Sequence, residues 1–186
     1  NPDTLQVASL RIFMAGDAND QMPLLHEAAD DGYIAGFNAT RSVTVCFKRL
    51  TPLAIVFADP NIAVAGNRYQ DLNHAKTLIG EARFDHQGRA RTGQYNKGIL
   101  RIYADMENGR LLGAEMCVPA GEHMAHLLAL AIDRSLTVQD LLRMPFYHPV
   151  LEEGLRTALR TLAAQLPAGH ESDLAAYGEF NMEALD

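Results

Sequence analysis

Apolar residues recur at helical spacing in some stretches of the chain and as short unbroken runs in others. Near the end, Leu151, Leu155, Ala158, Leu159, Leu162 and Leu166 stand three and four apart, one apolar stripe, with Glu152 and Arg156 four apart on another face. The pattern predicts an amphipathic helix over 149–166, with Pro149 at its first position, where a missing N–H costs nothing. Met124, Leu127, Leu128 and Ala131 predict a second helix over 122–134. Leu25, Ala28, Ala29, Gly32 and Gly36 line one face of a third over 24–38. Gly32 inside it costs on the order of 1 kcal/mol against alanine, which points to close backbone packing. Residues 68–78 fit a short helix with Leu72, Ala75 and Leu78 inward, and Thr137 is a good N-cap for another through Arg143.

The unbroken runs read as strands. Residues 53–57 and 62–65 flank the turn Asp59-Pro60-Asn61; 99–105 and 111–118 are joined around Asn108-Gly109; 79–84 is another. Residues 10–14 form an earlier run ending in Ala15-Gly16-Asp17, and 43–47 a short extended stretch. Residues 87–93, with Arg89 and Arg91, read as a solvated loop. The predicted class is α+β: an antiparallel sheet of four to five strands with helices packed on one face, preceded by a strand–helix element.

Composition narrows the partners. The 186 residues are 48% hydrophobic and carry a net charge of −7, which disfavours nucleic acid and anionic membranes. No apolar run approaches the length of a membrane span, and NPDTLQVASL has no basic region before an apolar core, so a cytoplasmic location is expected. Cys46 and Cys117 form neither a C-x-x-C nor a zinc pattern and read as buried free thiols. His123 and His126, three apart, have no H-E-x-x-H context or third ligand, so no metal site is assigned.

Two residues carry candidate chemistry. His148 lies in Pro145-Phe146-Tyr147-His148-Pro149, a stiff presentation of one imidazole, with Glu152 and Glu153 as nearby carboxylates. An imidazole there suits general acid–base work near neutral pH, although periodicity by itself favours a cap or core histidine. Asp17 sits just beyond a glycine at a strand's end, the edge where open α/β sheets bind ligands. It is placed either to accept hydrogen bonds from a sugar or ribitol hydroxyl or to cap a turn.

His148-Pro149-Val150-Leu151-Glu152-Glu153, ahead of an amphipathic helix, resembles the C-terminal His-Pro-x-x-x-Glu signature of the flavin-dependent pyridine nucleotide–disulfide oxidoreductases, with dihydrolipoamide dehydrogenase the nearest likeness. The resemblance implies that His148 takes a proton from a substrate thiol, that Glu153 hydrogen-bonds it, and that the pair serves the active site of the other subunit of a homodimer. RIFMAGDANDQMPLLHEAADDGYIAGFNA is similar to the family's second FAD motif. That likeness implies Asp17 on the flavin ribitol and the backbone around Leu24 and Leu25 near the flavin's pyrimidine edge; His26 also matches and is assigned no chemistry. Residues from Thr51 resemble the opening of the interface domain. The implied organisation is a remnant of the FAD-binding domain over 1–47, an interface or dimerisation domain over 48–166 and a tail over 167–186. The implied cofactors are FAD and NAD. The implied partners are a second copy of the chain, a dithiol such as dihydrolipoamide, and a 2-oxo acid dehydrogenase complex.

Glutathione reductase-like enzymes share the architecture, and a non-catalytic dimerisation module is the reading from another class. The paired C-terminal cysteines expected of a mercuric reductase do not occur here. The first Gly-x-Gly-x-x-Gly, the Cys-x-x-x-x-Cys redox pair and a nicotinamide-binding unit do not occur either, so the sequence is expected to be the C-terminal portion of such an enzyme and inactive alone.

Overall fold

A computed structural model describes residues 1–167 and Tyr177. The chain forms two compact units, Asn1–Leu50 and Thr51–Asp186. The tail expected over 167–186 lies, apart from Pro167 and Tyr177, outside the described residues.

The first unit is built on one helix, α1 (Leu25–Ala39). The run 10–14 is not a strand: it makes a single bridge, Gln6 with Phe13, and Leu10, Ile12 and Met14 are exposed. A strand needs a neighbour to take its alternate N–H and C=O groups along its length; residues 5–7 supply one short contact, the Val7 N–H donating to the Ile12 carbonyl at 2.9 Å and the Met14 N–H to the Leu5 carbonyl at 3.0 Å, too little for a strand. Gly32 and Gly36 face open space, so the small-residue face of α1 is not a packing seam within the unit. Polar groups hold the unit instead. Buried Asp31 accepts from the Gly16 N–H at 2.9 Å and from Asn19 Nδ2, and pairs with Arg49 at 2.6 Å. Arg49 also binds Glu27 at 2.7 Å. Buried Asn38 donates from Nδ2 to the carbonyls of Thr4 and Val45 and accepts from the Val45 N–H.

The second unit is a five-stranded antiparallel sheet with helices. The strands are β1 (Leu53–Val56), β2 (Asn61–Gly66), β3 (Thr77–Arg83), β4 (Ile99–Asp105) and β5 (Leu111–Val118), in the order β1-β2-β5-β4-β3. Register explains the layering. Ala82, Leu100, Met116 and Ala63 stand across from one another, all buried, and define one face. That face carries α3 (Gly121–Asp133) on β2 and β5, and α5 (Glu153–Ala163) on β3 and β4. Leu155, Leu159 and Leu162 of α5 are fully buried, each contributing about 1.5–3 kcal/mol through removal from water. The opposite face shows Val56 and Ile62 to solvent.

Three local expectations change. Residues 68–78 are not a helix: two short 3₁₀ turns, Tyr69–Asp71 and His74–Lys76, precede β3, which takes Leu78. The Tyr69 ring stacks on His74 at 4.1 Å and leans on Tyr103. Glu115 accepts from both the Tyr69 N–H and the Tyr103 hydroxyl, and burial, reinforced by this bond, pushes the Tyr103 phenol up. Aromatic packing over the open face thus outweighs helical periodicity here. Residues 87–93 are not a solvated loop but a short helix, α2 (Gly88–Thr92), whose Ala90 is fully buried. Cys46 is exposed and Cys117 half-buried, so neither is the sealed thiol expected.

Thr137 does cap α4 (Val138–Leu142), in a full capping box with Asp140. The Thr137 N–H and hydroxyl donate to the Asp140 carboxylate and hold it below the ordinary carboxylate range. A carboxylate depressed in the folded state stabilises above its unfolded pKa of about 3.9, and that contribution disappears as pH falls through the folded value. Thr137→Ala therefore costs about 1 kcal/mol at pH 7. The gap between wild type and variant narrows in urea titrations below about pH 4.

Candidate active site

The site grows out of how α5 is anchored. Its apolar stripe fixes the helix on β3 and β4, and this aims the first residue, Glu153. The helix begins at Glu153, not at Pro149; His148 through Glu152 form two successive turns, and the His148-Pro149 bond is cis. The loop is pinned on three sides. Met144, Phe146 and Leu151 pack on the core, the Arg156 guanidinium lies 5.4 Å over the Phe146 ring, and Gln87 donates from Nε2 to the Val150 carbonyl at 2.6 Å.

Glu153 folds back over this loop. Its Oε2 accepts from the Val150 N–H at 3.1 Å, and its Oε1 meets His148 Nδ1 at 2.9 Å. The bond with His148 holds the Glu153 carboxyl below its usual range against opposition from burial, with the Val150 N–H adding to it. Of the two candidate carboxylates it is Glu153, not Glu152, that reaches the ring. A carboxylate at Nδ1 fixes the tautomer: Nδ1 carries the proton, and the lone pair of the neutral ring sits on Nε2. The His148 side chain is 80% exposed, and no described residue bonds Nε2. The arrangement is an oriented base whose working nitrogen points away from its own unit's hydrogen bonds. A groove of about 380 Å³ beside it is lined by Arg89, Tyr95, His123, Tyr147 and Pro149 among others.

In the first unit, Asp17 is exposed in a 3₁₀ turn (Gly16–Asn19), where among the described residues only its carbonyl is engaged, accepting from the Asp20 N–H. Leu24 donates its N–H to Met22 at 2.8 Å, so Leu25, 88% exposed, supplies the first unpaired N–H of α1, whose start has no side-chain cap. A free carboxylate and an uncapped helix start fit a ligand that offers hydroxyls to one and acceptor atoms to the other, as FAD does. Asp31 and Gln87 were missed by sequence reading. The partner of Gln87 is 63 residues away, and no local spacing signals that contact.

Residues 53–159, more than half of the chain, match the model of the pyridine nucleotide-disulphide oxidoreductase dimerisation domain. A dihydrolipoyl dehydrogenase of Haloferax volcanii is 30% identical over 83% of this chain and 33% of its own length. A mercuric reductase of Shigella flexneri is also 30% identical, over 81% and 27%, so identity alone does not separate the two activities. LpdA of Mycobacterium tuberculosis superposes with a TM-score of 0.69 at 24% identity over 81% of this chain and 33% of that one. RclA of Escherichia coli, a flavoprotein disulfide reductase, does so at 0.71 and 19% over 84% and 36%. At these identities the likeness speaks for the fold alone. The chain spans about a third of the length of the curated relatives it matches. It belongs to the pyridine nucleotide-disulphide oxidoreductases and contains their dimerisation domain.

Proposed function

We propose that this chain supplies the dimer interface and the acid–base pair of a dithiol oxidoreductase of the dihydrolipoamide dehydrogenase type, using FAD and NAD. The observation that carries the reading is the Glu153–His148 bond at Nδ1 with an exposed Nε2. His148 Nε2 removes the proton from a substrate thiol, which leaves a thiolate, the nucleophile toward a redox disulfide. Glu153 holds the ring's tautomer and offsets the imidazolium charge that the transfer creates. Because Nε2 faces out of its own unit, the substrate sulfur comes from elsewhere, which in a homodimer is the partner's active site. Asp17 and the Leu24–Leu25 backbone at the start of α1 are the candidate flavin contacts. FAD held there would supply the two-electron acceptor between the dithiol and NAD.

The test is assay of the full-length protein. NAD-linked oxidation of dihydrolipoamide is expected, and Glu153→Gln lowers it about tenfold. NADPH-linked reduction of glutathione disulfide in its place moves the protein to the glutathione reductase type. Absence of turnover with any dithiol or disulfide leaves a dimerisation module.

A further inference from the structure

The β3–α2 connection and the His148 loop are far apart in sequence, and one side chain joins them. Gln87 is 8% exposed, and both ends of its amide are engaged. Its Oε1 accepts from the Ala90 N–H at 2.7 Å as the cap of α2, and its Nε2 donates to the Val150 carbonyl at 2.6 Å. The partners fix the orientation of the amide, since an N–H must meet the oxygen and a carbonyl the nitrogen. The other side of the Val150 backbone continues the chain: its N–H donates to Glu153 Oε2, and Glu153 Oε1 meets His148 Nδ1.

We infer that Gln87 is a positioning residue for the His148–Glu153 pair, acting through the backbone of Val150. This rests on the dithiol-oxidation reading above. The side-chain hydrogen bonds of Gln87 go to Val150 and Ala90, not to His148 or Glu153. Without it, the carbonyl of Val150 loses a buried donor, the Val150–Glu152 turn is freed, and the N–H that orients Glu153 moves with it. The base then remains present but is held in the productive geometry for a smaller share of the time.

The informative variant is Gln87→Glu, which keeps an acceptor for the Ala90 N–H and places an oxygen against the Val150 carbonyl. Gln87→Asn is the second variant: asparagine is a strong N-cap but is one methylene too short to reach Val150 as well. Both are made in the full-length enzyme, alone and with His148→Gln, and kcat and KM for the dithiol are measured. Expected is a fall in kcat of about tenfold with KM within about twofold, and no further loss when either variant is added to His148→Gln. That non-additivity belongs to residues acting as one unit. Losses that multiply in the double variants, or a rise in KM with kcat intact, overturn the positioning role while the acid–base reading stands. Full activity of both Gln87 variants does the same. If His148→Gln itself leaves turnover unchanged, the functional reading fails and this inference with it.

Discussion

His148→Gln lowers dithiol oxidation by about 10²–10⁴-fold in the intact enzyme, the range that a positioned general base contributes. Glutamine is close to histidine in reach, and its amide can still donate to Glu153, so the loop keeps its bonds to Val150 and Gln87. What it lacks is a basic lone pair at the position of Nε2. The loss therefore falls on proton removal from sulfur and not on folding. Flavin content per chain stays at the wild-type value, because the proposed flavin contacts, Asp17 and the start of α1, belong to the first unit and His148 to the second. Steady-state turnover with dihydrolipoamide, alongside the flavin absorbance of the purified protein, reads both quantities. Unchanged turnover takes His148 out of the chemistry.

Gly80→Ala carries a large expected cost in stability. Gly80 lies where α5 crosses β3 with no side chain between them. A Cβ there overlaps the Ala158 carbonyl oxygen and sits 2.6 Å from Leu162 Cγ. Helix backbone cannot swing aside as a flexible side-chain tip can, and the Leu162 side chain is already fully buried. The methyl must push the helix off the sheet, which costs about 3 kcal/mol and on the order of 10 °C in Tm. Because α5 carries Glu153 at its first position, the same displacement weakens the bond to His148, and activity falls with stability. Gly88→Ala is the control: a Cβ there meets nothing within 4 Å, and the melting temperature moves by no more than a degree or two, the scale of a surface change. Equal melting of the two variants removes the argument for backbone contact between α5 and β3.

How far the sequence reached depended on whether a signal was local. The strands 99–105 and 111–118 were legible to the residue, because a helix-free apolar run closed by Asn-Gly has one simple solution. The stripe of α5 was legible too, since its period reports a buried face. The start of α5 was not. Pro149 at a first helical position is a sound local rule, yet Gln87 and the core contacts of Leu151 draw 148–152 into turns. Residues 68–78 obeyed the helical period but were claimed by aromatic stacking on Tyr103, which periodicity does not encode.

By itself the sequence determined the fold class, the strands of the sheet, the two long helices of the second unit, and the choice of His148 with a following glutamate as candidate chemistry. The strands and helices rest on spacings within some twenty residues, and the choice of His148 on the resemblance of 148–153 to a known motif. Tertiary structure alone decided the strand order and that Gln87 and Asp31 brace their surroundings. Each of those depends on groups brought together from distant positions by burial, and the spacing of residues along a chain holds no record of such meetings.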